Sequence, residues 1–199
     1  LLLPGHGSLI NEIKADGYCV SDEIYMSLEG SNHFTMAKSL GIFLMSFVDT
    51  LKRLEPDWIM LAGDRGEQLV ASIASAFTYI PTAHIQAGER SGNIDGVSRH
   101  AIGRFAHIHF SANEDAEKRL LRMGEEPFRV HHVGAPQLDE MVNEILPSRD
   151  DLTKRYNFNA KKLYLLVVQH PVTEELNSAS NQIDILTNEL EKFDMQKIW

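Results

Sequence analysis

The sequence predicts an α/β fold, a parallel sheet covered by helices, on two observations. Short apolar runs alternate with amphipathic stretches, and each apolar run ends in a polar or glycine-bearing turn. Strands are expected at 58–62, ending in Gly63-Asp64-Arg65, and at 81–86, ending in Ala87-Gly88-Glu89. Further strands are expected at 108–111, at 128–133 before Gly134-Ala135-Pro136, and at 163–169, where His170-Pro171 closes the longest run.

Helices fit between these runs. Met36, Leu40, Phe43, Leu44, Phe47, Leu51 and Leu54 recur at spacings of three and four, which makes one apolar helical face. Residues 67–77 are alanine-rich and apolar on most sides, as a buried helix would be. Asn113 is placed to cap a helix running to Met123, which Gly124 ends. A last amphipathic helix is expected over 182–197. Residues 146–162 hold Pro147, several charges and little apolar period. They read as a connecting helix or linker, with a domain boundary near residue 160.

Composition bounds the function. Of 199 residues, 43% are hydrophobic and 24% charged, which is globular usage. The net charge of −9 excludes a broadly basic surface of the kind that coats nucleic acid. One cysteine, Cys19, allows no internal disulfide and no cysteine-rich zinc site, which fits a cytoplasmic location. No run is read as reaching the roughly 20 apolar residues of a membrane helix, so no membrane partner is expected. The chain opens Leu1-Leu2-Leu3-Pro4 without Met and closes at Trp199 in an apparent helix, so both ends read as cut.

In open parallel sheets, ligands bind beyond the carboxyl ends of the strands. The polar residues there are Asp64, Arg65, Gln86, Glu89 and His170, with Asp95, Arg99 and Asp139 a little further on. Acids, arginines and a histidine at one sheet edge suit acid–base chemistry on a small ligand. Plainer roles remain open at this point. Asp64 could cap a helix, Asp95 and Arg99 have i,i+4 helix-pair spacing, Glu89 and Arg90 could be solvated, and His170 could be a turn residue. His107 with His109, and His131 with His132, could offer metal ligands, but no carboxylate spacing typical of a metal site accompanies them. Ordinary hydrogen-bonded histidines are preferred. Gly5-His6-Gly7 lacks the third glycine of a dinucleotide fingerprint, and neither a phosphate-binding P-loop nor a G-x-S-x-G elbow is present.

Five motifs in register carry a resemblance. They are Gly63-Asp64-Arg65, the stretch from His84-Ile85-Gln86-Ala87-Gly88-Glu89 through Ser91-Gly92-Asn93-Ile94-Asp95, Ser98-Arg99-His100-Ala101-Ile102, Val133-Gly134-Ala135-Pro136 with Asp139, and Gln169-His170-Pro171-Val172-Thr173. With them the chain resembles the hydrolysing UDP-N-acetylglucosamine 2-epimerases of sialic-acid and legionaminic-acid pathways. Asp95 fits the hydrolysing branch, since non-hydrolysing relatives usually carry Glu there.

The resemblance implies a Rossmann-like parallel-sheet domain as the first half of a two-domain GT-B architecture. Residues 1–145 would be most of the N-terminal domain without its first strand and helix, 146–162 the linker, and 163–199 the start of the second domain. It implies conversion of UDP-N-acetylglucosamine and water to N-acetylmannosamine and UDP, by loss of UDP and then hydration with inversion at C2. A related diacetamido-sugar 2-epimerase and a non-catalytic sugar-nucleotide module are the alternatives. By matching position, Asp64, Asp95, His170 and Glu89 would be catalytic, and Arg65, Gln86, Arg99 and Asp139 would bind substrate. No cofactor and no metal are implied, and the full-length protein would be a homo-oligomer. Many family members have a carboxylate where Gln86 stands. Gln cannot be a general base, so Glu89 would take part of that load. The fragment alone is expected to be inactive, because a UDP-sugar cleft needs both domains.

Overall fold

A computed structural model describes residues 9–199 apart from Ser31, Glu144 and Pro171. Gly5-His6-Gly7 and the proline of the His170-Pro171 motif therefore lie outside the described residues. The chain divides into two compact units at Pro136/Gln137, ahead of the 146–162 stretch.

The first unit holds α1 (Ile10–Ala15), α2 (His33–Leu54), β1 (Ile59–Ala62), α3 (Gly66–Phe77), β2 (Thr82–Ile85), α4 (Ile94–Phe105), β3 (Ile108–Ser111), α5 (Glu114–Arg122) and β4 (Val130–His132). The four strands pair in parallel in the order β1-β2-β3-β4. Each strand is joined to the next by a helix, the repeat that apolar runs spaced by amphipathic stretches demand.

Local chemistry sets the element ends. Asn32 Oδ1 accepts from the amides of Phe34 and Thr35, and Thr35 Oγ1 accepts from the Asn32 amide, which starts α2. Asn113 Oδ1 accepts from the Ala116 amide at 2.9 Å, the expected cap of α5. Before β4, residues Pro127–Arg129 form a 3-10 turn where extended chain was expected, because Pro127 has its φ fixed in the helical range and no amide to give a ladder.

The core gathers around Leu61, Ala71 and Ile102, with Phe43, Phe47, Ile59 and Leu69 packed against it. A second cluster joins Ala87, Leu120 and Val130. Helix α3 buries Val70, Ala71, Ser72, Ala74 and Ser75, but Phe77 at its end is exposed. Contrary to the sequence reading, α2 is long and apolar enough by length and composition to cross a membrane. It packs on α3 and sends Phe43 and Phe47 to the core, the use a layered α/β domain makes of such a stripe.

The second unit holds α6 (Gln137–Asn143), α7 (Arg149–Tyr156), β5 (Tyr164–Leu166), a 3-10 segment Thr173–Ser178, α8 (Ala179–Glu191) and β6 (Gln196–Ile198). Two expectations are corrected here. The final helix starts at Ala179 and stops at Glu191, not Lys197, and Trp199 follows a strand rather than sitting in a helix. Lys192 and Phe193 close the helix with i→i−3 bonds. Gln196–Ile198 then pairs in parallel with Tyr164–Leu166. The pull is the unfilled backbone edge of β5, which the helical periodicity of the sequence does not register. Within 146–162, Ser148 and Asp151 form a capping box that starts α7.

One glycine is fixed by contact as well as by its backbone. Gly88 has φ +79°, and a Cβ there would stand 2.5 Å from the Ala116 carbonyl and 2.8 Å from Leu120. Gly88→Ala should lower unfolding free energy by roughly 2–3 kcal/mol, measured by urea denaturation of this chain.

Candidate active site

Strands β1 and β2 end side by side, with Ala62 opposite Ile85. The Gly63 amide donates to the Ile85 carbonyl at 3.1 Å, and the Ala87 amide donates to the Phe110 carbonyl of β3 at 3.1 Å. The loops that follow therefore leave the sheet from one edge. They carry Asp64 and Arg65 after β1, and Gln86 and Glu89 after β2. Helix α4 begins where the second loop ends, and brings Asp95 and Arg99.

Arg99 organises them. The residue is 7% exposed. Nη1 donates to the Gln86 carbonyl at 2.6 Å and to Glu89 Oε2 at 3.2 Å, and Nη2 donates to Asp64 Oδ2. Ser91 Oγ also donates to Asp64 Oδ2, at 3.2 Å. Asp95 Oδ2 accepts from Asn93 Nδ2 at 3.3 Å and faces Arg65 Nη1 at 3.6 Å. Among the described residues, every hydrogen bond to the carboxylates of Asp64 and Asp95 ends on Oδ2, so Oδ1 of each accepts none. Each carboxylate is thus held by one oxygen and offers the other.

These pairings replace the plainer readings. Asp64 does not cap α3, whose N-cap is Arg65 with no side-chain cap bond. Asp95 and Arg99 are not an i,i+4 pair, because Arg99 turns to Asp64 and Glu89 while Asp95 turns to Arg65. Glu89 is anchored rather than simply solvated, and Arg90 is exposed. The structure brings six of the eight predicted residues together: Asp64, Arg65, Gln86, Glu89, Asp95 and Arg99. Asp139 and His170 belong to the second unit, in α6 and after β5, and both are exposed.

The loop after β2 is built from strained backbone. Gln86 has φ +58° and Gly88 φ +79°, the left-handed region that a residue with a side chain enters at a cost. Two arginines hold this shape, Arg99 on the Gln86 carbonyl and Arg119 on the Gly88 carbonyl, each at 2.6 Å. Gly96 lets α4 close on the loop, since a Cβ there would meet the Ser91 carbonyl at 2.5 Å.

Sequence reasoning gave no individual role to a layer of buried histidines beneath the site. His84 and His109 are fully buried on neighbouring strands, paired in register. His84 Nε2 lies 2.7 Å from the Gly63 carbonyl and His109 Nε2 lies 3.1 Å from Glu125 Oε2. Arg104 Nη1 donates to the other oxygen of Glu125 at 2.9 Å. The signal was a histidine standing inside an apolar run, where an aliphatic residue is usual. Burial lowers the His84 pKa to about 4, against the pull of its bond to Gly63, and holds His109 and His100 below the usual imidazole range. His107 is a separate case, its Nδ1 accepting from the Thr82 amide at 3.2 Å. Among the described residues, no three His, Cys, Asp or Glu side chains gather as a metal site.

Residues 6–199 match the family model described as UDP-N-acetylglucosamine 2-epimerase. The chain is similar to the UDP-N,N'-diacetylbacillosamine 2-epimerase (hydrolyzing) of Legionella pneumophila, 41% identical over 177 residues, covering 89% of this chain and 47% of that protein. It is 38% identical over 132 residues to the UDP-N-acetylglucosamine 2-epimerase of Neisseria meningitidis, covering 66% of this chain and 35% of that protein. The crystal structure of the Neisseria meningitidis UDP-GlcNAc 2-epimerase bound to UDP-GlcNAc superposes with a TM-score of 0.73 at 17% identity, covering 95% of this chain and 54% of that one. That likeness carries the fold, an α/β parallel sheet as the first half of a GT-B architecture. The chain spans about half the length of the curated relatives it matches.

The buried histidines make stability depend on pH. In the unfolded chain His84 takes up a proton near 6.5, whereas in the folded chain it does so only near 4. Between those values the unfolded state binds more protons, so stability is full above pH 6.5 and falls as pH drops toward 4. His84 accounts for at most about 3 kcal/mol of this, with His100 and His109 acting in the same sense. Urea denaturation at pH 7.5 and pH 5 should show the loss. Equal stability at the two values would mean these imidazoles are not buried neutral.

Proposed function

The chain belongs to the UDP-N-acetylglucosamine 2-epimerase family, and on that premise we propose that it supplies the acid–base half of a hydrolysing UDP-sugar 2-epimerase. The observation that carries the reading is the arrangement of Asp64 and Asp95. Asp64 Oδ2 is bonded to the buried Arg99, Asp95 Oδ2 accepts from Asn93 and faces Arg65 at 3.6 Å, and among the described residues Oδ1 of each accepts no hydrogen bond. A carboxylate can take a carbon-bound proton only when held close and aligned, and these two are held without being consumed by their partners.

In the proposed sequence, one carboxylate removes the proton on C2 of the sugar. The C2 electron pair forms the C1=C2 double bond as the bond from C1 to the diphosphate oxygen breaks, and UDP departs with that pair. Water then adds at C1, and a proton returns to C2 from the opposite face, which inverts that centre. Asp64 and Asp95 are assigned the two proton transfers. Glu89 shares the Arg99 guanidinium with Asp64 and sets the charge that Asp64 feels. His170 is assigned the donation to the departing phosphate oxygen, where charge develops. Arg65, Arg99, the Gln86 amide and Asp139 are assigned to substrate binding and orientation. The reaction is placed in the cytoplasm and needs no redox cofactor, since no electrons leave the substrate.

For the sugar, we favour a UDP-2,4-diacetamido sugar over UDP-N-acetylglucosamine. The support is the 41% identity over 89% of the chain to the diacetylbacillosamine enzyme, against 38% over 66% to the N-acetylglucosamine enzyme. Both substrates share the 2-acetamido group and the C2 proton on which the carboxylates act. Assaying UDP release and sugar product with each, in a polypeptide of the relatives' length carrying these residues, decides between them.

The 199-residue chain alone should release no UDP from either substrate. In the longer polypeptide, Asp95→Asn should lower kcat by roughly 10²–10⁴-fold while UDP binding, followed by calorimetry, stays within about threefold. Near-normal turnover in that variant would remove Asp95 from the mechanism.

A further inference from the structure

We propose that His84 is a positioning residue for Asp64, acting through the Gly63 carbonyl. The inference rests on the reading of Asp64 as an acid–base group. His84 is the third residue of β2 and fully buried. Its Nε2 lies 2.7 Å from the Gly63 carbonyl oxygen. A carbonyl only accepts, so Nε2 carries the hydrogen and Nδ1 is bare. Nδ1 is itself buried, with no hydrogen-bond partner among the described residues. An orphaned polar atom in a core costs stability that an aliphatic side chain of similar volume would not. The ring is therefore a poor space-filler, and its one bond is what it contributes.

That bond acts on the most pivotal peptide of the site. Gly63 has φ +81°, and a Cβ there would meet nothing within 4 Å, so its surroundings do not wedge it in place. Two hydrogen bonds to β2 fix it instead. The Gly63 amide donates to the Ile85 carbonyl at 3.1 Å, and the Gly63 carbonyl accepts from His84. The second bond sets the plane of the peptide joining Gly63 to Asp64, and so the direction in which the Asp64 side chain leaves the backbone. Arg99 and Ser91 hold only Oδ2. The aim of Oδ1 depends on the backbone behind it, and a misplacement of about 1 Å at a reacting group can cost on the order of 100-fold in rate.

The position of His84 is backed in turn. Its register partner on β3 is His109, tied to Glu125 at 3.1 Å and through it to Arg104. The charged or titratable groups acting on His84 are Arg99, Asp64 and His109.

The test compares three variants in the polypeptide of the relatives' length. His84→Leu removes the donor. His84→Gln returns an amide N–H at the reach of Nε2, and His84→Asn stops one bond short. We expect kcat to fall about 10- to 100-fold in the Leu and Asn variants, with KM within threefold and with recovery to near wild type in the Gln variant. Added to Asp64→Asn, His84→Leu should slow the residual reaction no further. Carbon-13 NMR titration of the Asp64 carboxyl should shift in the Leu and Asn variants and return in the Gln variant. If the Leu variant does not fold, the contrast between Gln and Asn decides. Equal rates and equal Asp64 titrations across the variants would overturn the inference. A wild type inactive on every UDP-sugar would defeat the functional reading instead, and the NMR titration would then decide the positioning role alone.

Discussion

One buried guanidinium governs the site. Arg99 is nearly excluded from water, and a buried charge is tolerated only when paired and hydrogen-bonded. Its partners come from two places in the chain: Asp64 after β1, and Glu89 and the Gln86 carbonyl after β2. Arg99 itself stands on α4, so one residue ties two loops and a helix into a single block. Two carboxylates around one cation leave the cluster with net negative charge, and Arg65 beside Asp95 forms a separate pair that balances only itself. Removing a partner from such a group usually costs about 3–5 kcal/mol.

That electrostatic clamp works only because the backbone was bent to meet it. The Gln86 carbonyl reaches Arg99 from a left-handed residue, and the next turn needs Gly88 because the Ala116 carbonyl leaves no room for a Cβ. Arg119 holds the Gly88 carbonyl from α5. At position 86 the chain therefore contributes through its main chain. Arg99 thus faces two carboxylates, Asp64 and Glu89, and one neutral carbonyl.

Much of this was legible in the residues, and the rest fails for stated reasons. Apolar runs gave β1, β2 and β3 nearly to the residue, since a buried parallel strand has few other ways to be written. The rule that ligands sit beyond strand ends pointed to Asp64, Glu89 and Asp95 before any coordinates. It could not say who pairs with whom. Asp95 and Arg99 have helix-pair spacing, yet their partners lie outside the helix, because spacing along a chain carries no information about the loops packed against it. The end of α8 was misread for a similar reason. Residues 192–198 continue a helical apolar pattern, but the open edge of β5 supplies hydrogen bonds that a helix end does not. His84 was hidden by its company, since one ring between Ala83 and Ile85 reads as core until its neighbour across the sheet is known.

The six gathered residues all lie in one uninterrupted stretch from the end of β1 to the middle of α4. A site made this way depends on short loop closures, whose entropy cost is small and grows slowly with length. Its geometry is set by a strand–helix–strand–helix repeat that packs around Leu61, Ala71 and Ile102. On the proposed reading, the acid–base groups are held rigid by the first unit's own core, and contacts that tell one sugar from another are left to residues elsewhere in the chain. Division of labour of this kind has a chemical logic. The 2-acetamido group and the C2 proton are common to the two proposed sugars, so the groups assigned to them can sit on the most constrained elements. Features that distinguish one sugar from another, at C4 and C6, call for contacts free to vary. Nothing in the Arg99 cluster needs to change for them to do so.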